Sequence, residues 1–200
     1  TVSKRLFDEF ENIDTRKVAS IINIEGEGVV AFDLKDQREY TGYTNKKYTP
    51  TALLDGTSNT GGSKDFQISQ DQDFFVIRYA DVLLMAAELG SAKSQEYLDK
   101  VRQRAYKTSF VSVPATKDNI LRERKFEFAF EGIRYWDLLR QGLNVAAARI
   151  AQTETVKSGT VPEVLTITQD NIVKTRGFMQ IPNTQITLSN GKMVQNNGWN

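Results

Sequence analysis

The chain contains no cysteine and no histidine among its 200 residues. Lack of cysteine excludes a disulfide framework, a thiolate metal site and a cysteine nucleophile. Lack of histidine removes the Ser-His-Asp triad and the imidazole-ligated zinc site as well. An excess of charge of one sign is also missing. Lys+Arg total 26 and Asp+Glu 25, a net charge of +1, so there is no electrostatic footprint for nucleic acid or an anionic membrane. Long apolar runs are absent: the longest, near Val82–Ala87, is far too short to span a bilayer, and no signal peptide opens the chain. The first residue is Thr1 rather than Met, so the chain is expected to be a processed or truncated piece of something longer. Hydrophobic residues make up 40%, enough to bury a sizeable core.

What is present is organised around one run, Ile120 to Gly142. It begins behind a helix-start signal, Thr116-Lys117-Asp118-Asn119, carries no proline and ends at a glycine suited to a helix C-terminus. Glu123, Glu127 and Glu131 recur every four residues and are expected to stack on one helix face. Arg124 and Arg134 lie three residues from Glu127 and Glu131, where each can neutralise a carboxylate. The remaining faces carry Phe126, Phe128, Phe130, Ile133, Trp136 and Leu138, so the helix reads as mostly buried, with Trp136 in the core. Buried charges must be paired, because an unpaired one costs several kcal/mol. The expectation is one long central helix, with a break at Gly132 allowed, holding a structural ion-pair network of Glu123, Glu127, Glu131, Arg134, Asp137 and Arg140; Arg102 is a further candidate partner.

At these residues the chain resembles a known family. The order Glu-Arg-x-x-Glu-x-x-x-Glu-Gly-x-Arg-aromatic-x-Asp-Leu-x-Arg, from Glu123 to Arg140, is similar to that of the SusD/RagB family of outer-membrane nutrient-binding lipoproteins. The flanks agree in order. Arg78-Tyr-Ala-Asp-Val-Leu-Leu-Met-Ala-Ala-Glu88 and Val101-Arg-Gln-Arg-Ala105 resemble family segments, as does the ending built from Ile181-Pro182 and Gln195-Asn-Asn-Gly-Trp199. Departures are Thr15, where the family has proline between Asp14 and Arg16, and Gln180, Gln185 and Asn197 near the end. The resemblance implies a non-catalytic binding protein for an oligosaccharide or other small nutrient, without a cofactor. It also implies a SusC-type TonB-dependent transporter as partner, and a place on the outer-membrane surface through a lipid anchor in an N-terminal part not included here.

Around the central run the elements read as follows. Ser3 to Phe10 is a short helix; Val18 to Ile24 is β-branched and suits an extended segment. Asp71 or Asp73 is expected to cap the helix that ends at Gly90, and Ser94 to cap the next, which carries Leu98, Val101 and Ala105 as its apolar stripe. Arg78 and Arg102 are expected to pair with carboxylates of neighbouring helices, Asp81 or Glu88 among them. Two helices joined by a short turn match a tetratricopeptide unit in size, and one unit cannot cover its own apolar faces. The fold class is therefore mainly α: a tetratricopeptide-like α/α superhelix over residues 75–142, with long irregular loops and a few short strands. Leu143 to Ala151 continues as a helix, Thr153 to Gly159 reads as a loop, and Val164–Thr168 and Ile172–Thr175 as a small hairpin.

Two stretches raise functional readings. Gly56 to Lys64 looks like a phosphate loop, but Lys and Ser stand in the wrong order and no strand precedes it, so a surface loop is the reading. Tyr40, Tyr43 and Tyr48 lie in a polar, loop-like segment with Thr, Asn and Lys. They are the candidate carbohydrate-binding residues, since sugar rings stack on flat aromatic faces; the competing role is to pin the loop onto the helices. A glycoside hydrolase would need two carboxylates about 5–9 Å apart. Glu127 and Glu131 meet that spacing, but their arginine neighbours mark them as structural. A helical scaffold that binds only protein shares the expected fold.

Overall fold

The structure is a computed structural model describing residues 1–28, 34–49 and 73–199. The Gly56–Lys64 stretch and Asp71 lie outside the described residues. The chain divides into two compact units, residues 1–34 with 40–132, and residues 35–39 with 133–200. Helix predominates clearly over strand among the described residues.

The first unit opens with helix α1 (Lys4–Glu9) and helix α2 (Arg16–Ser20), followed by strand β1 (Ile21–Asn23). The β-branched run is therefore helical at its start and extended only at its end. β1 pairs antiparallel with β2 (Tyr43–Asn45), Ile22 opposite Thr44. Helices α3 (Tyr79–Glu88), α4 (Ser94–Tyr106) and α5 (Lys117–Glu127) supply most of the remaining order. Gly90, in a left-handed conformation at φ +78°, ends α3 and starts the short turn into α4. Leu83, Leu84 and Ala87 of α3, Leu98, Val101 and Ala105 of α4, and Ile120 and Leu121 of α5 are buried where these three helices meet. A second cluster joins Val2, Phe10 and Ile21 to Phe126 and Ala129, so the N-terminal segment is anchored on the end of α5. Phe10 and Phe126 have ring centroids 4.6 Å apart.

Caps follow chemistry only in part. The Thr116 hydroxyl accepts from the backbone N–H of Asn119, as expected. Ser94 does not cap α4: Lys93 holds that position, and the Ser94 hydroxyl donates to the carbonyls of Ala87 and Ser91, tying α4 back to the end of α3. Asp73 stands five residues before Arg78, which occupies the N-cap of α3.

The expected long central helix is two helices. α5 stops at Glu127, the chain turns through Phe128–Ile133, and α6 (Arg134–Leu139) begins after it. The break falls earlier than Gly132. Phe130 already has φ +69° and Gly132 φ +77°, so two left-handed residues end the helical path. A left-handed aromatic costs about 1–2 kcal/mol. Burial of Phe128 and Ala129 compensates, together with the new position this turn gives Glu131.

The second unit contains α6, α7 (Leu143–Ile150), α8 (Gln169–Lys174), α9 (Asn183–Leu188) and the hairpin of β3 (Gln152–Ser158) and β4 (Val161–Ile167). α7 packs on both α6 and α8. The hairpin corrects two expectations. Most of the expected loop, Thr153 to Ser158, is strand: Thr153, Thr155 and Val156 favour extended backbone, and pairing places Val156 in the core opposite Glu163, with Gly159 in the turn. Ile172–Lys174 is helical, because the Thr168 hydroxyl accepts from Asn171 N–H and starts α8. Trp136 is not core; on the short helix α6 it is 66% exposed.

Candidate functional site

In the first unit α5 places Glu123 and Glu127 one turn apart, and the turn after it brings Glu131 close enough to share Arg78 with Glu127. All three are buried, Glu127 with a fully enclosed side chain. Their cations come from elsewhere in the unit. Arg16, at the start of α2, is gripped by Asp14: its Nε donates to Oδ1 at 2.9 Å and Nη2 to Oδ2 at 2.7 Å. That fork aims Arg16 Nη1 at Glu123 Oε1 (2.5 Å) and Glu127 Oε2 (3.0 Å). Arg102 of α4 donates to Glu123 Oε2 at 2.9 Å, and Arg104 Nη2 to both oxygens of Glu127 at 2.6 Å. Arg78 bridges Glu127 Oε1 (2.9 Å) and Glu131 Oε2 (2.8 Å), while Lys47 Nζ donates to Glu131 Oε1 at 2.7 Å.

The partners therefore differ from those nearest in sequence. Arg124 pairs with Asp81 of α3 at 2.5 Å instead of Glu127, and in the second unit Arg140 pairs with Asp137 at 3.0 Å. Arg134 opens α6 in that same unit. Burial by itself pushes the Glu127 carboxyl up, but Arg104, Arg78 and Arg16 outweigh it and hold it below the ordinary carboxylate value. Burial pushes Lys47 down, with Glu131 opposing.

The three tyrosines separate. Tyr40 is buried, and its hydroxyl donates to Glu25 at 3.1 Å. Tyr43 stacks on Phe7 with centroids 4.2 Å apart, against the Val2–Phe126 cluster. Tyr48 lines a cavity of about 280 Å³, together with Phe75, Lys47, Arg78, Arg104 and Glu131.

The second unit holds a larger cleft, about 550 Å³, in the size range of small-molecule sites. Its walls include Tyr135, Ile150, Ile172, Phe178, Met179 and Trp199. The polar edges of its aromatics are tied to backbone. Trp199 Nε1 donates to the carbonyl of Phe178 at 2.8 Å, and the Tyr135 hydroxyl to that of Gly177. The rings are thus fixed in orientation, and Trp199 is partly open to solvent. Gly198 (φ +87°) lets the tail approach α8: a Cβ there would meet the carbonyl oxygen of Lys174 at 2.9 Å. No lining side chain carries a formal charge at neutral pH, so the cleft suits a neutral ligand with flat apolar faces. Among the described residues no group of three or more acidic side chains is placed to hold a metal ion, and no helix is long and apolar enough to cross a membrane.

The SusD family model matches residues 7–199. The chain belongs to the SusD family. A SusD-like protein, P25 from Formosa agariphila, is 39% identical over 34% of this chain and 15% of its own length. Surface glycan-binding protein A from Bacteroides thetaiotaomicron shares the fold across 97% of this chain, with TM-score 0.67 and 27% identity; its complex with laminarihexaose gives 0.65 and 26%. B. fragilis NanU, at 23% identity and TM-score 0.52, shares the fold. The chain spans only about 40% of the length of these solved SusD-like proteins.

Proposed function

We propose that this chain serves non-catalytic glycan binding at the outer-membrane surface, in a protein that works with a SusC-type TonB-dependent transporter and hands it an oligosaccharide. The observation that carries the glycan reading is the likeness over nearly the whole chain to a surface glycan-binding protein solved with laminarihexaose. The geometry agrees with it. The cleft of the second unit offers fixed aromatic faces and no charge, which is what stacking of a neutral sugar ring requires. Of the three sequence-chosen tyrosines, Tyr48 is the one proposed to reach a ligand, because its ring borders a cavity.

The reading as a glycoside hydrolase is disfavoured by the same chemistry. A general acid needs a carboxyl whose proton is retained near neutral pH. Glu127 is held in the opposite direction by three arginines.

The test is calorimetric titration with a panel of neutral and acidic oligosaccharides, paired with an assay for released reducing ends. Saturable binding without cleavage supports the proposal. Binding to none of the panel, or turnover of any member, contradicts it. The transporter partnership is tested separately, by co-purification of the native protein with an outer-membrane β-barrel.

A further inference from the structure

We infer that Gln195 and Asn196 are positioning residues for the cleft of the second unit. They strap the tail to residues 179–181 and so fix the wall formed by Phe178, Met179 and Trp199. This inference rests on the glycan reading of that cleft given above.

Residues 177–181 lie between α8 and α9, outside any helix or strand, so no ladder takes their carbonyls. Side chains take them instead. The carbonyl of Gly177 accepts from the Tyr135 hydroxyl, and that of Phe178 from the Trp199 indole N–H at 2.8 Å. The carbonyl of Met179 accepts from Asn196 Nδ2 at 2.6 Å, and that of Ile181 from Gln195 Nε2 at 2.9 Å. Gln195 also closes a ring with Ile181: its Oε1 accepts from the Ile181 N–H at 2.8 Å, and from the Asn196 N–H at 2.9 Å. One side-chain amide does for Ile181 what a neighbouring strand would do, taking both its N–H and its C=O. The chain then turns through Asn197 and Gly198 (φ +87°), with the Trp199 N–H donating to the Asn196 carbonyl at 3.2 Å. That turn returns the indole to Phe178.

Phe178, Met179 and Trp199 line the cleft and are 58%, 63% and 41% exposed. Burial alone does not hold side chains this open in place; the straps hold the backbone that carries them. Neither Gln195 nor Asn196 lines the cleft, so each acts through the residues it fastens. With its N–H committed to Phe178, Trp199 offers a ligand ring surface rather than a donor, which suits stacking on a sugar. Ordering these side chains before the ligand arrives removes a cost that binding would otherwise carry.

The test uses Trp136→Phe protein, in which Trp199 is the remaining tryptophan, with laminarihexaose, cellohexaose and maltohexaose as probes. Gln195→Met in that background keeps the length of the side chain and removes its three hydrogen bonds. It is expected to bind the best of the three hexamers about tenfold more weakly, at a temperature where circular dichroism shows it folded. Without ligand, acrylamide is expected to quench Trp199 emission more strongly in Gln195→Met than in its parent. Asn196→Ala removes the bond to Met179 and is expected to give a smaller loss in the same direction. It provides both readouts if Gln195→Met fails to fold.

Affinity and quenching distinguish positioning from a purely structural role. A fall in Tm with affinity intact in the folded variant overturns the inference, and so does quenching equal to that of the parent. If the parent binds a hexamer and the variants bind it equally well, the inference falls while the glycan reading stands. If the parent binds none of the three, the neutral-sugar reading of the cleft falls and this inference falls with it.

Discussion

Arg16 Nη1 lies 2.5 Å from Glu123 Oε1, although 107 residues separate them in the chain. The contact fastens α2 to α5, and with Glu127 it makes Arg16 the hub of a buried cluster. Arg16→Met keeps most of the apolar stem and removes the charge, leaving three buried carboxylates, Asp14, Glu123 and Glu127, short of a cation. The expected cost is about 3–5 kcal/mol, because removal of one member strands the others. Denaturant unfolding of both proteins measures it; a loss below about 1 kcal/mol would show that the cluster is not a stabilising hub.

Acid stability should depend on Glu127. Its folded carboxyl titrates below the ordinary value of 4.5, so as pH falls the unfolded chain takes up the proton first. The stabilisation is complete above that value and is lost as pH drops below it, through the folded pKa. Tm is expected to hold on the neutral side of about pH 4.5 and to fall below it. Glu127→Gln should be less stable at neutral pH and show a flatter acid limb. Equal acid limbs in the two proteins would remove Glu127 from the explanation.

These carboxylates were legible in the sequence, from their spacing of four and their aromatic surroundings. Their partners were legible only in part: Arg102 was a named candidate and does bind Glu123, and Arg78 does pair with a neighbouring helix, but which carboxylates Arg16, Lys47 and Arg78 reach, from 111, 84 and 49 residues away, leaves no record in one sequence. Helix starts and stops with local causes, Thr116 and Gly90, were readable. The end of α5 was not: Phe130 is an ordinary helix residue by composition and takes left-handed backbone only because tertiary packing holds it there. β3 was missed since a two-stranded ribbon with one buried valine has no apolar alternation to detect. Trp136 looked like core by position; only the short length of α6 and its neighbours decide that it faces outward.

Two glycines of the second unit should differ in what a methyl group does. Gly177 and Gly198 both have left-handed backbone, so alanine is strained at either by about 1–2 kcal/mol. At Gly177 the added Cβ meets the flexible end of Leu139; at Gly198 it meets the Lys174 carbonyl, which cannot move alone. Gly198→Ala is expected to cost more, about 2–4 kcal/mol in total, and to displace Trp199. Thermal melts with tryptophan emission as readout check both points; equal losses would contradict the close-approach explanation.

The tyrosines should divide by role. Tyr40→Ala removes a buried ring and a hydroxyl bonded to Glu25, so stability should fall by about 3–5 kcal/mol with glycan affinity unchanged in the folded fraction. Tyr48→Ala should instead lower affinity for the best oligosaccharide about tenfold with a smaller change in Tm. Calorimetric titration beside thermal melts separates the two, and the reverse pattern would move the binding role from Tyr48 to Tyr40.

The most direct test of glycan binding in the second unit reads Trp199 itself. In Trp136→Phe protein Trp199 is the remaining tryptophan, so its emission reports on the cleft. Oligosaccharides are titrated in while the emission is followed and the solution is assayed for cleaved sugar. The expected result is a saturable change in emission that persists over hours with no reducing ends released. An emission that stays flat while calorimetry records glycan binding would contradict a ligand on Trp199, and a signal that decays as sugar is cleaved would contradict a non-catalytic protein.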